Sequence, residues 1–205
     1  MVKLEGKISY LVPFGEKHLY DENYLKWLRD YDVIKTINRL DYVITPVGFE
    51  EVKQYYEAVT NSKADIFWAL YYKQEDSFIG TVRISKIDRH AGTADVGILI
   101  GDKKKWGKGI ATDALYTVCQ YLFEELKIRK LTAGTMAINP AMIRVFEKLG
   151  FKQEGVFRKQ DRFEEGYCDH IYLGCFRDEF KFNSVQEGAN NRRGGQDEKY
   201  LEIYR

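Results

Sequence analysis

The stretch KKKWGKGIATDAL, residues 103–115, joins a lysine-rich loop with two glycines to the start of an apolar helix pattern. From Ile110 to Leu126 the apolar residues recur at steps of one and three, which places them along one side of a helix. A glycine-bearing loop that leads into a helix directs backbone N–H groups and the positive end of the helix dipole to one point. The stretch therefore predicts an anion site that suits phosphate. The alternative is an ordinary solvated loop before a helix.

Two common phosphate-binding motifs do not match this loop. The pattern GxxxxGK followed by Ser or Thr fails because Gly101 lies six residues before Gly107, and because Gly109 follows Lys108. The pattern GxGxxG fails because Thr112 stands at the third glycine position. These mismatches disfavour a nucleotide triphosphatase and a dinucleotide dehydrogenase.

Strand patterns lie on both sides of the helix that follows the loop. The segments before it are rich in β-branched and aromatic residues and predict an antiparallel meander: DIFWALYYK (65–73), SFIGTVRIS (77–85) and TADVGILIG (93–101). The segments after it predict a strand (128–138), a helix (139–150) and two further strands (151–159 and 167–176).

Two helices are expected near the N-terminus, and no structure is expected at the C-terminus. ENYLKWLRD (22–30) and TPVGFEEVKQYYEAV (45–59) read as helices, the second with Thr45 as its cap and Pro46 at its first helical position. From residue 181 the apolar periodicity stops. We expect one domain over residues 1–180 and a flexible tail over 181–205.

Composition narrows the class of protein further. The chain has 205 residues, a formal net charge of +1 and 44% hydrophobic residues, which suits one compact core. The balanced charge argues against a nucleic-acid partner. No apolar run reaches the ~18 residues of a membrane span, and the first residues lack a signal-peptide centre. We therefore expect a cytoplasmic protein without a membrane partner.

The cysteine and histidine residues predict neither a disulfide framework nor a metal site. The chain has three of each, and no pair of cysteines has the CxxC spacing. Buried or incidental thiols are the expected role of the cysteines.

Two blocks of sequence resemble the GNAT superfamily of acyl-CoA-dependent N-acetyltransferases. Lys104, Gly107 and Gly109 stand at the spacing of its pyrophosphate loop, with Lys in place of Gln or Arg as a departure. Asn139, followed by Lys-Leu-Gly-Phe at 148–151, matches a second block. The resemblance implies an α/β fold of the α+β type, with a central mixed, mostly antiparallel sheet that is splayed at the acetyl-CoA site and flanked by helices.

Within this superfamily, the chain is similar to the RimJ/RimL-like branch over about residues 4–177. The similarity rests on Glu154, Gly155 and Arg158, followed by Gly166, Tyr167 and Asp169. A weaker likeness links ADVGILIG, WGKG and RKLTAGT to relatives associated with amino-sugar synthesis. The resemblance thus implies a small-molecule or peptide amine as acceptor and leaves open whether the protein is a monomer or a homodimer.

The resemblance also implies which residues hold acetyl-CoA, the expected co-substrate, without a metal. The pantetheine would pair with the strand near Ile98 and Ile100, and Asn139 would bond it, or would only cap its helix. The helix that carries Arg144 and Phe146 would flank the thiol end. The pyrophosphate would contact Lys104, Lys105, Gly107, Lys108, Gly109, Ile110 and Ala111.

The catalytic residues follow from the chemistry of amine acetylation. An alkyl ammonium has a pKa of ~10 and must lose a proton before it attacks the thioester. Asp95 stands where many relatives carry an acidic residue, so it is the candidate base; an exposed strand aspartate is the alternative. Phe146 and Met142 cannot protonate the departing thiolate, and Tyr167 is a candidate substitute or a packing residue.

The acceptor is open at this point. An aromatic pocket wall suits a sugar ring, as on a nucleotide-linked amino sugar, whereas acidic residues such as Asp30, Asp32 and Asp41 suit a peptide N-terminus of the alanine type. The loss of the usual acids also allows a non-catalytic acyl-CoA sensor. Candidate wall residues are Trp27, Tyr31, Tyr55, Tyr56 and Tyr167.

Overall fold

The computed structural model describes residues 2–37, 45 and 47–181. Within them, strands form one sheet in the order β1-β2-β3-β4-β5-β6-β8-β7. All neighbours pair antiparallel except β5 and β6, which are parallel. The strands are β1 Leu4–Glu5, β2 Ser9–Pro13, β3 Ile66–Tyr72, β4 Ser77–Asp88, β5 Thr93–Ile100, β6 Lys130–Met136, β7 Lys152–Phe163 and β8 Gly166–Phe176. The predicted mixed, mostly antiparallel sheet is confirmed.

Helices cover both faces of the sheet. They are α1 Glu16–Leu19, α2 Glu22–Leu28, α3 Tyr31–Ile34, α4 Phe49–Asn61, α5 Ile110–Glu124 and α6 Pro140–Leu149, with a 3-10 turn at Lys103–Lys105. On one face the apolar stripe of α5, with Leu115 and Leu122 fully buried, packs with Val82 and Leu131 of the sheet. On the other face a second cluster joins Tyr24 and Val52 of the N-terminal helices to Phe67.

The sheet is splayed between its two parallel strands, as predicted. β5 and β6 pair only over residues 93–95 and 130–132. Beyond these pairs, residues 96–100 of β5 and 133–136 of β6 form no ladder with each other. Because β5 leads into the loop and α5, this gap opens next to the loop that carries the two glycines.

Several sequence predictions differ from the structure at the N-terminal end. The strands β1 and β2 were not expected. The helix predicted from Thr45 begins at Phe49, so the Thr45 cap is wrong, and Pro46 lies outside the described residues. Gly48 precedes the helix in an extended conformation, and Glu50 and Glu51 supply the negative charge that the first turn favours.

The described part of the chain can be examined for three features that the sequence did not predict: a membrane span, a metal site and a disulfide. There, no helix is long and apolar enough to cross a membrane. The same residues contain no cluster of metal-binding side chains, and the three cysteines are free thiols. Residues 182–205, nearly all of the expected tail, lie outside the described residues.

Candidate active site

The loop before α5 presents a row of backbone donors. Gly107 and Gly109 have φ angles of 72° and 78°, in the left-handed region that favours glycine, and a Cβ at either would meet nothing within 4 Å. Among the described residues, no group accepts a hydrogen bond from the backbone N–H groups of residues 107–112. Together with the helix dipole, these donors suit a bound anion.

The lysines of this loop have different roles. Lys104 and Lys108 are exposed and form no ion pair with another described residue, so their charges are available to a bound anion. Lys105 is buried: its Nζ lies 2.5 Å from Glu75 Oε1 and over the ring of Tyr72. The Lys105 side chain therefore anchors the loop to the strand end, and the predicted contact of Lys105 with pyrophosphate stays a prediction.

Beyond residue 95, the edge of β5 that faces β6 has no described strand paired with it. Ala94 directs its carbonyl toward β6, where Thr132 Oγ1 donates to it at 3.3 Å, so Ile98, four residues on, directs its backbone groups to the same side. Ile100 is partly engaged already, because its carbonyl accepts from Trp106 Nε1 at 2.9 Å. The open edge and the anion site lie in succession along the chain, an arrangement that fits an extended pantetheine and a diphosphate.

Helix α6 lies on the other side of this gap. Asn139 caps it, accepting a hydrogen bond from the Met142 N–H at 3.2 Å. Arg144 is exposed. Phe146 is buried against Phe151 with ring centroids 5.0 Å apart. The helical period turns this side chain into the core. That the helix carrying Arg144 and Phe146 flanks the thiol end stays a prediction.

Asp95 lies where β5 and β6 begin to diverge. Ala94 and Val96 belong to the core of the α5 face, so Asp95 projects to the opposite face, and Thr132 Oγ1 donates to its Oδ2 at 2.8 Å. Burial raises the pKa of Asp95. The Thr132 hydrogen bond and nearby positive groups oppose this increase.

A cavity of about 250 Å³ opens on the same face as Asp95. Tyr55 belongs to its wall, as predicted, and Tyr24 belongs to it without having been predicted. Trp27, Tyr31, Tyr56 and Tyr167 do not line it. The described lining residues are Tyr24, Leu28, Ile37, Val52, Tyr55, Phe67, Thr81, Arg83, Gly97, Ile98 and Leu99.

Arg83 is the one charged side chain among the described residues that line this cavity. Its Nε and Nη2 donate to Asp65 Oδ1 at 3.0 and 2.8 Å, and its Nη1 donates to the Tyr55 hydroxyl at 3.1 Å. A guanidinium has five N–H donors, so two have no acceptor among the described residues and can serve a ligand. Arg83 was not predicted as a site residue, because an arginine within a strand pattern carries no signal of its own.

Tyr167, the candidate acid for the thiolate, lies away from Asp95. Thr132, which bonds Asp95, pairs with Gly174 of β8, and Tyr167 is seven residues from Gly174. At ~3.3 Å per residue this places Tyr167 roughly 20 Å along the strand. The structure therefore does not bring Tyr167, whose surface is 62% exposed, to Asp95.

The acidic residues proposed for a peptide N-terminus are already paired. Lys103 Nζ lies 2.8 Å from Asp30 and 3.2 Å from Asp32, and Lys35 Nζ lies 2.8 Å from Asp32. Asp41 lies outside the described residues. The structure thus gives no free carboxylate at Asp30 or Asp32 to receive an ammonium group.

Comparisons with known proteins agree with this geometry. Residues 10–152 match the family model of the acetyltransferase (GNAT) domain. The chain is 33% identical over 178 residues to a Bacillus subtilis (strain 168) protein named "Probable N-acetyltransferase YjcK", covering 83% of this chain and 94% of that protein.

Two solved structures share the fold at low sequence identity. The spermidine N-acetyltransferase from Vibrio cholerae, in complex with CoA and spermine, has a TM-score of 0.75 at 19% identity, covering 83% of this chain and 96% of that one. RimL, a ribosomal alpha-N-protein acetyltransferase in complex with coenzyme A, has a TM-score of 0.75 at 15% identity, covering 87% and 99%.

Proposed function

This chain belongs to the acetyltransferase (GNAT) family, and from the lining of its cavity we propose that it acetylates the primary amine of a nucleotide-linked amino sugar. Family membership makes the chain an acetyl-CoA-dependent N-acetyltransferase. It also favours catalysis over the alternative of a non-catalytic sensor. The proposal therefore concerns the acceptor and the residues that act on it.

The observation that carries the proposal is the guanidinium of Arg83 in the cavity wall. Asp65 and Tyr55 hold the guanidinium in place, and its two remaining N–H donors suit the oxygens of a phosphate or a sugar. A polycation such as spermidine would bring its positive charges toward this group. Arg83 therefore favours an acceptor with anionic or oxygen-rich groups.

The size and lining of the cavity support the same acceptor. Its volume of about 250 Å³ lies below the ~300–1,000 Å³ of pockets that enclose a whole small ligand. The cavity thus encloses one ring of the acceptor, and the rest lies at its mouth. Tyr24 and Tyr55 offer flat faces on which a sugar ring packs.

A peptide with an N-terminal alanine is the second candidate from the sequence, and the pairing of Asp30 and Asp32 with Lys103 disfavours it.

The same geometry supports an assignment of the cofactor-binding residues. The pyrophosphate is bound by the backbone N–H groups of residues 107–112, which include Gly109, Ile110 and Ala111. The side chains of Lys104 and Lys108 add positive charge. Ile98 and Ile100 pair with the pantetheine, Asn139 donates its side-chain amide to it, and Arg144 lies beside it. Acetyl-CoA supplies the acetyl thioester that an unprotonated amine attacks.

Asp95 is the proposed acceptor of the proton that leaves the ammonium, directly or through a water. Its place at the start of the gap, on the face that carries the cavity, supports this role. Tyr167 has weaker support as an acid for the thiolate, because the strand register separates it from Asp95. Because a thiol has a pKa of ~8.5, its thiolate leaves readily near neutral pH, and the reaction depends only modestly on such an acid.

A comparison of acceptors tests the proposal. The purified full chain is given acetyl-CoA and, in parallel, a uridine diphosphate-linked amino sugar, a peptide with a free N-terminal alanine, or spermidine, and thiol release is measured. We expect turnover with the amino sugar. Turnover with the peptide or spermidine alone would overturn the proposed acceptor.

Replacing Arg83 with Met tests the residue that carries the proposal. Loss of charge-assisted hydrogen bonds worth about 1.5–3 kcal/mol predicts a ~10- to 100-fold increase in KM for the amino sugar. The matched control is Arg89→Met, because Arg89 is exposed in the turn after β4. Thermal melting of both variants separates a binding effect from the destabilisation that an unpaired Asp65 would cause. An unchanged KM in Arg83→Met contradicts the proposal.

A further inference from the structure

A histidine–aspartate pair faces the gap in the sheet from the side opposite to β5. His170 Nδ1, on β8, lies 2.5 Å from Asp161 Oδ2, on β7. The Asp161 side chain is 4% exposed and the His170 side chain 20%. A carboxylate only accepts hydrogen bonds, so the imidazole donates through Nδ1, and in the neutral ring the lone pair then lies on Nε2.

The imidazole lies over the same face as Asp95. Thr132 bonds Asp95, and Gly134, two residues on, presents its α-carbon to that face of β6. A Cβ built on Gly134 would lie 2.4 Å from His170 Nε2. The free nitrogen of His170 therefore sits above Gly134, beside the gap that begins at Asp95 and Thr132.

A bulge in the last hairpin creates this pair. Phe157 is opposite His170, and the next paired residue of β7, Asp161, is opposite Cys168, so three residues of β7 lie opposite one residue of β8, which makes two of them extra. The Asp169 carboxylate holds the bulge by accepting the Lys159 N–H at 2.8 Å. Bulges of this kind redirect side chains near active sites, and here the bulge brings the Asp161 carboxylate to the imidazole.

The reaction needs a second proton acceptor. The ammonium nitrogen carries three protons and the amide nitrogen of the product carries one, so two protons leave it. In the proposed mechanism Asp95 takes the first, the amine lone pair then forms the C–N bond, and the nitrogen still holds one proton too many. The C–S bond breaks with its electron pair on sulfur, and one proton converts the thiolate to the thiol.

We propose that His170 is a catalytic residue that accepts this second proton at Nε2, with Asp161 as its positioning residue. The inference rests on the proposed function of amine acetylation. The imidazole then returns the proton to the thiolate, which supplies the acid that Phe146 cannot. In general a thiol is a weaker acid than an imidazolium, so the transfer is favourable.

Kinetics against pH test this role. Replacing His170 with Gln is expected to lower kcat by about 10²-fold at pH 7, in the range of general acid–base catalysis. The loss persists at pH 10, because the second proton must still leave after the C–N bond forms. In Asp95→Asn the loss shrinks at pH 10, because the amine is then largely unprotonated. His90→Gln, in an exposed turn, is the control. A kcat of His170→Gln within about twofold of the wild type from pH 6 to 10 overturns the proposal.

A glycine substitution tests the same site without removing the imidazole. Gly134→Ala places a methyl group against Nε2 and is expected to lower kcat at least tenfold. Gly155→Ala is the matched control, since a Cβ there meets nothing within 4 Å. If both variants keep wild-type activity, the imidazole is not at the reacting nitrogen.

The tautomer of His170 gives a readout that needs no acceptor. The chain has three histidines, so long-range proton–nitrogen NMR can resolve each imidazole. We expect neutral His170 to carry its proton on Nδ1 in the wild type and to lose this preference in Asp161→Asn. An Nε2–H tautomer in the wild type overturns the inference. Absence of turnover by the wild type with every amine would instead overturn the proposed function, which keeps the two failures distinct.

Discussion

At the scale of single residues, Asp95 carries the first proton transfer of the proposed mechanism. Burial raises its pKa, so the carboxylate form that accepts a proton is lost at a higher pH than for an exposed aspartate. The acidic limb of the wild-type activity profile should therefore lie above the ordinary aspartate value of ~3.9.

Replacing Asp95 with Asn should lower kcat by about 10²-fold at pH 7, because an amide cannot accept the proton. The deficit should narrow toward pH 10, near the pKa of an alkyl ammonium (~10), since the free amine no longer needs a base. Steady-state rates from pH 6 to 10 measure both effects, with Asp178→Asn as an exposed control. An unchanged profile would remove Asp95 from the mechanism.

Also at the scale of single residues, His18 makes the stability of the fold depend on pH. The ring is buried, its Nδ1 accepts from the Gly15 N–H at 2.9 Å, and its Nε2 lies 3.1 Å from the Tyr71 hydroxyl. Burial, with a contribution from Lys17, lowers the pKa of His18 to about 4. The unfolded chain binds a proton here below pH ~6.5 and the folded chain does not, so stability falls as the pH falls from ~6.5 toward 4.

Urea unfolding at pH 7.5 and 5.5 measures this effect. With these pKa values, the His18 contribution to the free energy of unfolding decreases by about 1 kcal/mol between the two pH values. His18→Gln should be less stable at both, and its stability should lack this decrease. An equal decrease in the variant would show that other groups cause it.

At the scale of elements, the sequence predicted the features that depend on residues close together in the chain. The apolar stripe of α5 and the glycines before it identified the helix and the turn that leads into it, since both depend on residues close in sequence. The two short N-terminal strands were missed because their pairing with β3 is a long-range contact that leaves little local pattern. The start of α4 was placed four residues early because Thr45 and Pro46 resemble a cap.

The site divides in the same way. Lys104 and Lys108 are exposed, and their role as cations for pyrophosphate stays a prediction, whereas Lys105 is bound to Glu75, 30 residues earlier. Arg83 lies on β4 and its partner Asp65 directly precedes β3, and Asp161 meets His170 only because of the hairpin bulge. Spacing in the sequence carries no signal for contacts that strand register and bulges create.

At the scale of the whole molecule, the sheet separates two chemical environments. The face that carries α5 and α6 presents the glycine-bearing loop and the helix that Asn139 caps. The opposite face presents the cavity, Arg83, Asp95 and His170. An acetyl donor bound in the gap between β5 and β6 is therefore accessible to an amine from the cavity side, which is the central claim about this protein.

Hydrogen–deuterium exchange of the full chain, with and without saturating coenzyme A, tests this claim most directly. We predict slower exchange of the backbone amides at residues 96–100 and 107–112 when coenzyme A is bound. Amides of β2 and β3, which are paired within the sheet and away from the gap, should exchange as before. Unchanged exchange at 96–100 and 107–112, with slowing elsewhere, would contradict the claim that the gap between β5 and β6 holds the acetyl donor.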